Sequence, residues 1–242
     1  MILDVDLSQI EWRVVAALTQ DEVMMNEIRN SVDQHSAACV DLMELPLTKE
    51  NRTDAKIFNF RAIYANPETA AYAYFMDNKM PSFTMHKWQS IMDAFYAKYS
   101  GMFKAHEEWV HTVRRTGEII GPTGRRWLFT KQNKKGYWDY SVTQIRNYPV
   151  QGTAGDLIKL ALVYIRKRLL AAYPQALMVM TVHDSIIFDL PDAIVKPVAK
   201  ICIDTFQELP ILAEKHFNWL IPVPITGEAD AGPSWGRMER II

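Results

Sequence analysis

Residues 176–191 read ALMVMTVHDSIIFDLP, two apolar runs of strand length on either side of His183, Asp184 and Ser185. No other stretch constrains the fold as much, because two such runs around so short a polar tip fit an antiparallel hairpin. The opening run, ILDVDL at residues 2–7, is a further strand candidate and ends beside Asp6, with Asp4 two residues earlier. A carboxylate within an apolar run is costly to bury unless it is paired or binds a cation. Taken singly, Asp184 is also an ordinary turn former.

Helical patterns surround these runs. Ser8 and Glu11 form a capping box for a helix reaching about Thr19, and Thr48 starts another that Asn66 and Pro67 end near Ala65. A helix is expected over about 32–45, a long one from Trp88 to Val113, and another over about 153–172. GEIIGPTGRRWLF reads as a hairpin, and the C-terminal part as a helix over about 192–208 and a strand near 223–229. Few strands scattered among many helices make the class α+β, a small sheet backed by helices with a separate helical lobe in the middle.

At 242 residues, 49% hydrophobic and 23% charged, the chain can bury a full core, and its net charge of -1 makes no global case for a polyanion partner. Cys39 and Cys202 lack metal-ligand spacing and read as reduced, buried thiols. No signal peptide or membrane span is expected; LIKLALVYIRKRLLAAY carries four cations and reads as amphipathic.

Charge is local instead. Arg52, Lys56, Phe60 and Tyr64 recur every four residues, and each such step turns about 40° around a helix, so they form one slanted stripe. The stripe fits a nucleotide cradle, cations on polyphosphate and rings on sugar and base; a solvated basic edge beside a buried aromatic pair is the plainer alternative. Residues 114–135 hold Arg114, Arg115, Arg125, Arg126, Lys131, Lys134 and Lys135 against Glu118 alone, with Trp127 and Phe129 interleaved. Such a segment suits a phosphate backbone or an ordinary solvated face, and Gln144, Arg146, Asn147 and Gln151 follow it, amides among them that can read minor-groove acceptors. Asp6 and Asp184, if one sheet brings them together, could hold a pair of Mg²⁺ ions.

These segments together resemble the family A DNA polymerases. DLSQIEWR is similar to the family's first motif, DYSQIELR; RTDAKIFNFRAIYA to its second, RxxxKxxxFGxxYG; and VHDS to its third, VHDE. TGRRWLF and NYPVQGTAGDLIK are similar to the family's GRR loop and NAPxQGTAAD helix start. The resemblance implies a template-directed DNA polymerase fragment that adds deoxynucleoside triphosphates to the primer end of primer-template DNA by two-metal transfer. It implies a palm sheet from residues 1–30 and 121–242 and helical fingers from 31–120, including the motif helix 48–65, in a cytoplasmic setting of a bacterial or phage-infected cell.

By the same resemblance Asp6 and Asp184 are the catalytic metal ligands for two Mg²⁺ ions. Glu11 is the steric gate against a ribose 2′-hydroxyl. Arg52 and Lys56 bind triphosphate, Lys56 with a role as general acid, while Phe60 packs on the sugar and Tyr64 near the templating base. His183 lies near the primer end, and Arg125, Arg126, Asn147 and Gln151 grip DNA. Arg61 and Ala65 replace usual glycines, and Ser185 a usual glutamate, the latter leaving the aspartate pair intact. The family's thumb and first palm strands precede the first motif, which here begins almost at Met1. The expectation is therefore a thumb-less fragment completed by a second chain that supplies the thumb, with an exonuclease as a further part it could bring; a shortened chain or incomplete gene product is the plainer alternative. A single-subunit RNA polymerase is a competing reading, disfavoured by Glu11, and a non-catalytic nucleic-acid-binding polymerase fold is another.

Overall fold

The computed structural model describes residues 1–134 and 136–242, Lys134 by its backbone alone, so Lys135 and the Lys134 side chain of the basic segment lie outside the described residues. In chain order the elements are β1 (Ile2–Leu7), α1 (Ile10–Thr19), α2 (Glu22–Arg29), α3 (Gln34–Ala37) running into a π-helical turn at Ala38–Leu42, α4 (Lys49–Tyr64), α5 (Pro67–Phe75), α6 (Met85–Lys98) and α7 (Ser100–Thr116). There follow β2 (Glu118–Ile120), β3 (Arg126–Leu128), β4 (Gln132–Lys134), β5 (Tyr137–Asp139), α8 (Val142–Ala172), β6 (Leu177–Val182) and β7 (Ser185–Asp189). A 3-10 turn at Asp192–Ile194 leads into α9 (Val195–Gln207), α10 (Leu209–Phe217), β8 (Gly227–Ser234) and β9 (Arg237–Arg240). The α+β class holds. Two compact units form, one from residues 1–17, 121–125 and 150–242, the other from residues 18–120 and 126–149.

The first unit contains an antiparallel sheet in the order β6-β7-β1-β8-β9. Central β1 alternates: Leu3, Val5 and Leu7 are fully buried while Asp4 and Asp6 face the other side, half-buried. Burying each of the three apolar side chains contributes about 1.5–3 kcal/mol. That holds the register, since a slip of one residue would exchange the two faces. Helix α9 packs on β1 and β8, with Cys202 and Phe206 buried. Gly227 permits this approach: a Cβ there would lie 2.5 Å from the Phe206 ring and 2.8 Å from the Asp6 carbonyl oxygen. The strand expected over 223–229 starts only at Gly227, because the Pro224 and Thr226 carbonyls are engaged by Arg13 and the Ser8 N–H rather than by a ladder.

The expected 176–191 hairpin forms, with Val182 opposite Ser185 and His183 and Asp184 as its tip. Edge strand β6 leaves Leu177 and Val179 more than half exposed, at 56% and 53%.

In the second unit, the helix expected as one from Trp88 to Val113 is two, divided at Tyr99. Buried Asp21 explains the break. One of its carboxylate oxygens accepts from the Met24 N–H at the start of α2 (2.9 Å) and the other from the Met102 N–H in the first turn of α7 (2.8 Å). Each is an orphan donor of a helix terminus, so a single carboxylate caps two helices. Helix α4 follows the sequence closely: Thr48 accepts from the Asn51 N–H, and Asn66 caps α5 with Pro67 in its first turn. Helix α8 starts at Val142, not near Thr153, and continues through Pro149. An apolar cluster of Val110, Val113, Ile119 and Ile145, flanked by Trp109, Trp127 and Phe129, ties the β2–β3 hairpin to α7. Cys39 and Cys202 are free and buried, as expected. Among the described residues no helix is long and apolar enough to cross a membrane.

Candidate active site

The first unit brings its carboxylates together by strand pairing. Asp6 lies opposite Ser185 in the β1–β7 register, and the Leu7 N–H donates to the Asp184 carbonyl at 3.3 Å. Asp6, at the end of β1, is therefore next to the hairpin tip. His183 at that tip holds φ 55°, a left-handed conformation uncommon for a non-glycine residue. The Asp6 carboxyl is raised from its ordinary 3.8 to about 6, burial being the largest cause. Asp184 is the second cause of the rise, and the Ser185 hydroxyl, donating to Asp6 Oδ1 at 2.9 Å, partly offsets both. Ser185, standing where the family usually has glutamate, thus supplies a donor in place of a third carboxylate.

A cleft of about 480 Å³ opens beside the pair, lined by Glu11, Gln151, His183 and Asp184 on a floor of Ile10, Ile158, Ala154 and Gly155. Gln151 Nε2 donates to Glu11 Oε1 at 2.7 Å. Arg13 anchors the turn before α1: its guanidinium donates to the Ser8 carbonyl (2.8 Å), the Pro224 carbonyl (2.5 Å) and Thr226 Oγ1 (2.9 Å). Asp4 accepts from the Trp235 indole at 3.1 Å. Arg125 forks onto Asp156 at 2.5 and 3.0 Å, and Thr123 donates to the same carboxylate at 2.7 Å.

The second unit carries the remaining motif residues. Helix α4 buries Ala55, Phe58, Asn59, Ala62 and Ile63, leaving Arg52, Phe60 and Tyr64 half-buried and Lys56 exposed. Arg52 makes a fork with Asp33 at 2.7 and 3.1 Å. Burial opposes ionisation of Asp33, yet hydrogen bonds from Arg52 and Ser36 outweigh it and hold the carboxyl well below its ordinary value. Beside them His35 is buried, its ring 5.6 Å from that of Phe60 and its Nδ1 3.1 Å from Asn59 Nδ2. Burial lowers His35 to about 4, opposed by Asp33 and assisted by Arg52 and Lys56. Sequence reasoning passed over His35; Asp33, capping the helix in whose first turn His35 lies, was the available signal. Arg126 pairs with Glu118 (2.6 Å), and Asn147 is half-buried on α8. Arg61 pairs with Asp77, and the Ala65 carbonyl accepts from buried Arg146 at 2.5 Å.

The profile of DNA polymerase family A matches residues 1–237. The chain belongs to that family. It is 24% identical over 241 residues to DNA polymerase I of Streptococcus pneumoniae serotype 4, covering 97% of this chain and 26% of the relative. With DNA polymerase I of Pseudomonas aeruginosa the identity is 26% over 239 residues, covering 97% and 24%. Among solved structures it is similar to the POL domain of Pol1 from M. smegmatis in complex with DNA primer-template and dNTP, with a TM-score of 0.79 at 20% identity over 97% of this chain and 40% of the other. The chain spans about a quarter of the length of the curated relatives it matches. Family A chemistry depends on metal ions. Among the described residues no group of three or more His, Cys, Asp or Glu could hold an ion by itself. Two carboxylates are nevertheless a fitting set for Mg²⁺, which binds one or two of them together with substrate phosphates.

Proposed function

We propose that this family A chain is the catalytic portion of a template-directed DNA polymerase, the sheet unit acting as palm and the helical unit as fingers. The observation that carries the reading is the adjacency of Asp6 and Asp184, Asp6 lying opposite Ser185 and the neighbouring Leu7 N–H donating to the Asp184 carbonyl, in a chain matched to the family from residue 1 to 237. The similar M. smegmatis domain, described with primer-template and dNTP, supports the same substrates here.

In this reading Asp6 and Asp184 hold two Mg²⁺ ions, which when bound supply charge neutralisation for in-line displacement. Arg52 and Lys56 grip the triphosphate; the primer 3′-hydroxyl gives up its proton to solvent as its oxygen bonds to the α-phosphorus, the bond from that phosphorus to the pyrophosphate oxygen breaks, and Lys56 protonates the departing pyrophosphate. Phe60 packs on the deoxyribose and Tyr64 near the templating base. Glu11 fills the volume a 2′-hydroxyl would need. Arg125, Arg126, Asn147 and Gln151 hold the duplex, and His183 lies by the primer end. A polymerase of this kind works in the cytoplasm of a bacterial or phage-infected cell.

A second, thumb-bearing chain completes the enzyme. Supporting this is β6, an edge strand with apolar side chains turned to water, which natural sheets usually cover or charge.

Primer extension with dNTPs and Mg²⁺, with and without a thumb-bearing chain, tests the reading. Incorporation that vanishes in Asp184→Asn, and ribonucleotide use that rises in Glu11→Ala, are the expected results. DNA binding without incorporation under every partner condition would overturn polymerase function. Processive synthesis by this chain alone would overturn the two-chain assembly.

A further inference from the structure

The gate carboxylate is a long side chain, and a steric filter works only if its bulk stays put. The backbone beneath Glu11 is well fixed, since Arg13 ties the Ser8 carbonyl to the Pro224 carbonyl and Thr226 Oγ1. Position in the first turn of α1 also favours a negative charge there. Neither acts on the far end of the side chain. That end is held by Gln151 Nε2, 2.7 Å from Glu11 Oε1, both residues lining the same cleft as Asp184.

An amide is a suitable group for this task. It donates to the carboxylate without neutralising it, so the gate keeps its charge and hydration. A primary amide also carries two hydrogens, so Gln151 can hold Glu11 with one and offer the other to a base-edge acceptor of bound DNA.

We propose that Gln151 is a positioning residue for sugar selection: it pins Glu11 where a 2′-hydroxyl would have to go. The inference rests on reading Glu11 as the gate. A hydrogen bond to a charged partner is worth enough to change a population roughly tenfold or more. Loss of Gln151 should therefore loosen Glu11 and admit ribonucleotides about tenfold more readily.

The test compares kcat/KM for dATP and ATP on one primer-template with wild type, Gln151→Leu, Glu11→Ala and the double variant, with the DNA dissociation constant measured separately. Gln151→Leu should lower the dATP-to-ATP ratio roughly tenfold, through a rise in the ATP value rather than through weaker DNA binding. In the Glu11→Ala background the same change should add nothing to the ratio, because the two residues act as one unit. Should Gln151→Leu lower the melting temperature, Gln151→Met gives the same test with a straight chain of similar length. If Glu11→Ala relaxes selectivity and the Gln151 variants keep the wild-type ratio, the inference falls and the gate stands. If Glu11→Ala leaves the ratio unchanged, the gate reading falls and this inference goes with it.

Discussion

Replacing Asp6 by Asn should abolish incorporation and yet make the metal-free chain more stable at neutral pH. The folded state raises the Asp6 carboxyl from 3.8 to about 6, chiefly by burial and then by Asp184. A raised acid value means the folded chain binds the proton more tightly than the unfolded one. The contribution to stability is thus fully present below 3.8 and is lost as pH rises through about 6. Taken in full the difference amounts to roughly 3 kcal/mol at pH 7.5. Water reaches about half of the group, so screening leaves about 1.5 kcal/mol. Asparagine cannot ionise, and its oxygen can still accept from the Ser185 hydroxyl. The expected gain in melting temperature at pH 7.5 without divalent ions is about 3–6 °C for a chain of this size. By pH 4 the gain should be nearly gone, and added Mg²⁺ should raise the melting temperature of the wild type alone. Calorimetry or thermal circular dichroism at both pH values reads this directly. An equal or lower melting temperature for the variant at pH 7.5, or a gain that persists unchanged at pH 4, would refute the electrostatic reasoning.

The same glycine-to-alanine change should have opposite signs at two positions. At Gly232 a Cβ would sit 1.7 Å from the Arg237 carbonyl oxygen, so Gly232→Ala should cost upwards of about 3 kcal/mol in thermal melts, and a wild-type melting temperature would count against the β8–β9 pairing. At Gly155, within α8, nothing lies within 4 Å, and Gly155→Ala should stabilise by about 0.5–1 kcal/mol; a loss of that size would show the cleft floor to be tighter than described. Buried His106 titrates well below 6.5, from burial and then from Arg146, so it stays neutral when folded while the unfolded chain gains a proton as pH falls through 6.5. His106→Phe should flatten the decline in melting temperature between pH 7 and 5, and an unchanged slope would remove His106 from the acid response.

What was legible in the sequence was local. The Thr48 cap, the Asn66–Pro67 stop and the 176–191 hairpin each carry their signal within a few residues, and each formed as read. The break at Tyr99 was invisible because Trp88, Ile91, Met92, Phe95, Met102, His106, Val110 and Val113 keep helical spacing straight across it. Its cause, Asp21, lies far earlier in the chain. The early start of α8 was hidden by Pro149, a residue that usually ends a helix, and the helix runs through it with one backbone donor fewer. At the candidate site the motif residues could be named from the chain, but their occupancy could not. That Glu11 is held by Gln151, Arg52 by Asp33 and Arg125 by Asp156 depends on contacts that no spacing encodes.

Those last pairings change how this molecule would greet a polyanion. Arg52, Arg125 and Arg126 each already face a resident carboxylate, on Asp33, Asp156 and Glu118. An arriving phosphate must trade places with an incumbent rather than fall onto a bare cation, so fewer counterions are set free than a tally of arginines implies. Affinity should accordingly decline less steeply with added salt, and these guanidinium groups stay aimed by their carboxylates until the exchange takes place.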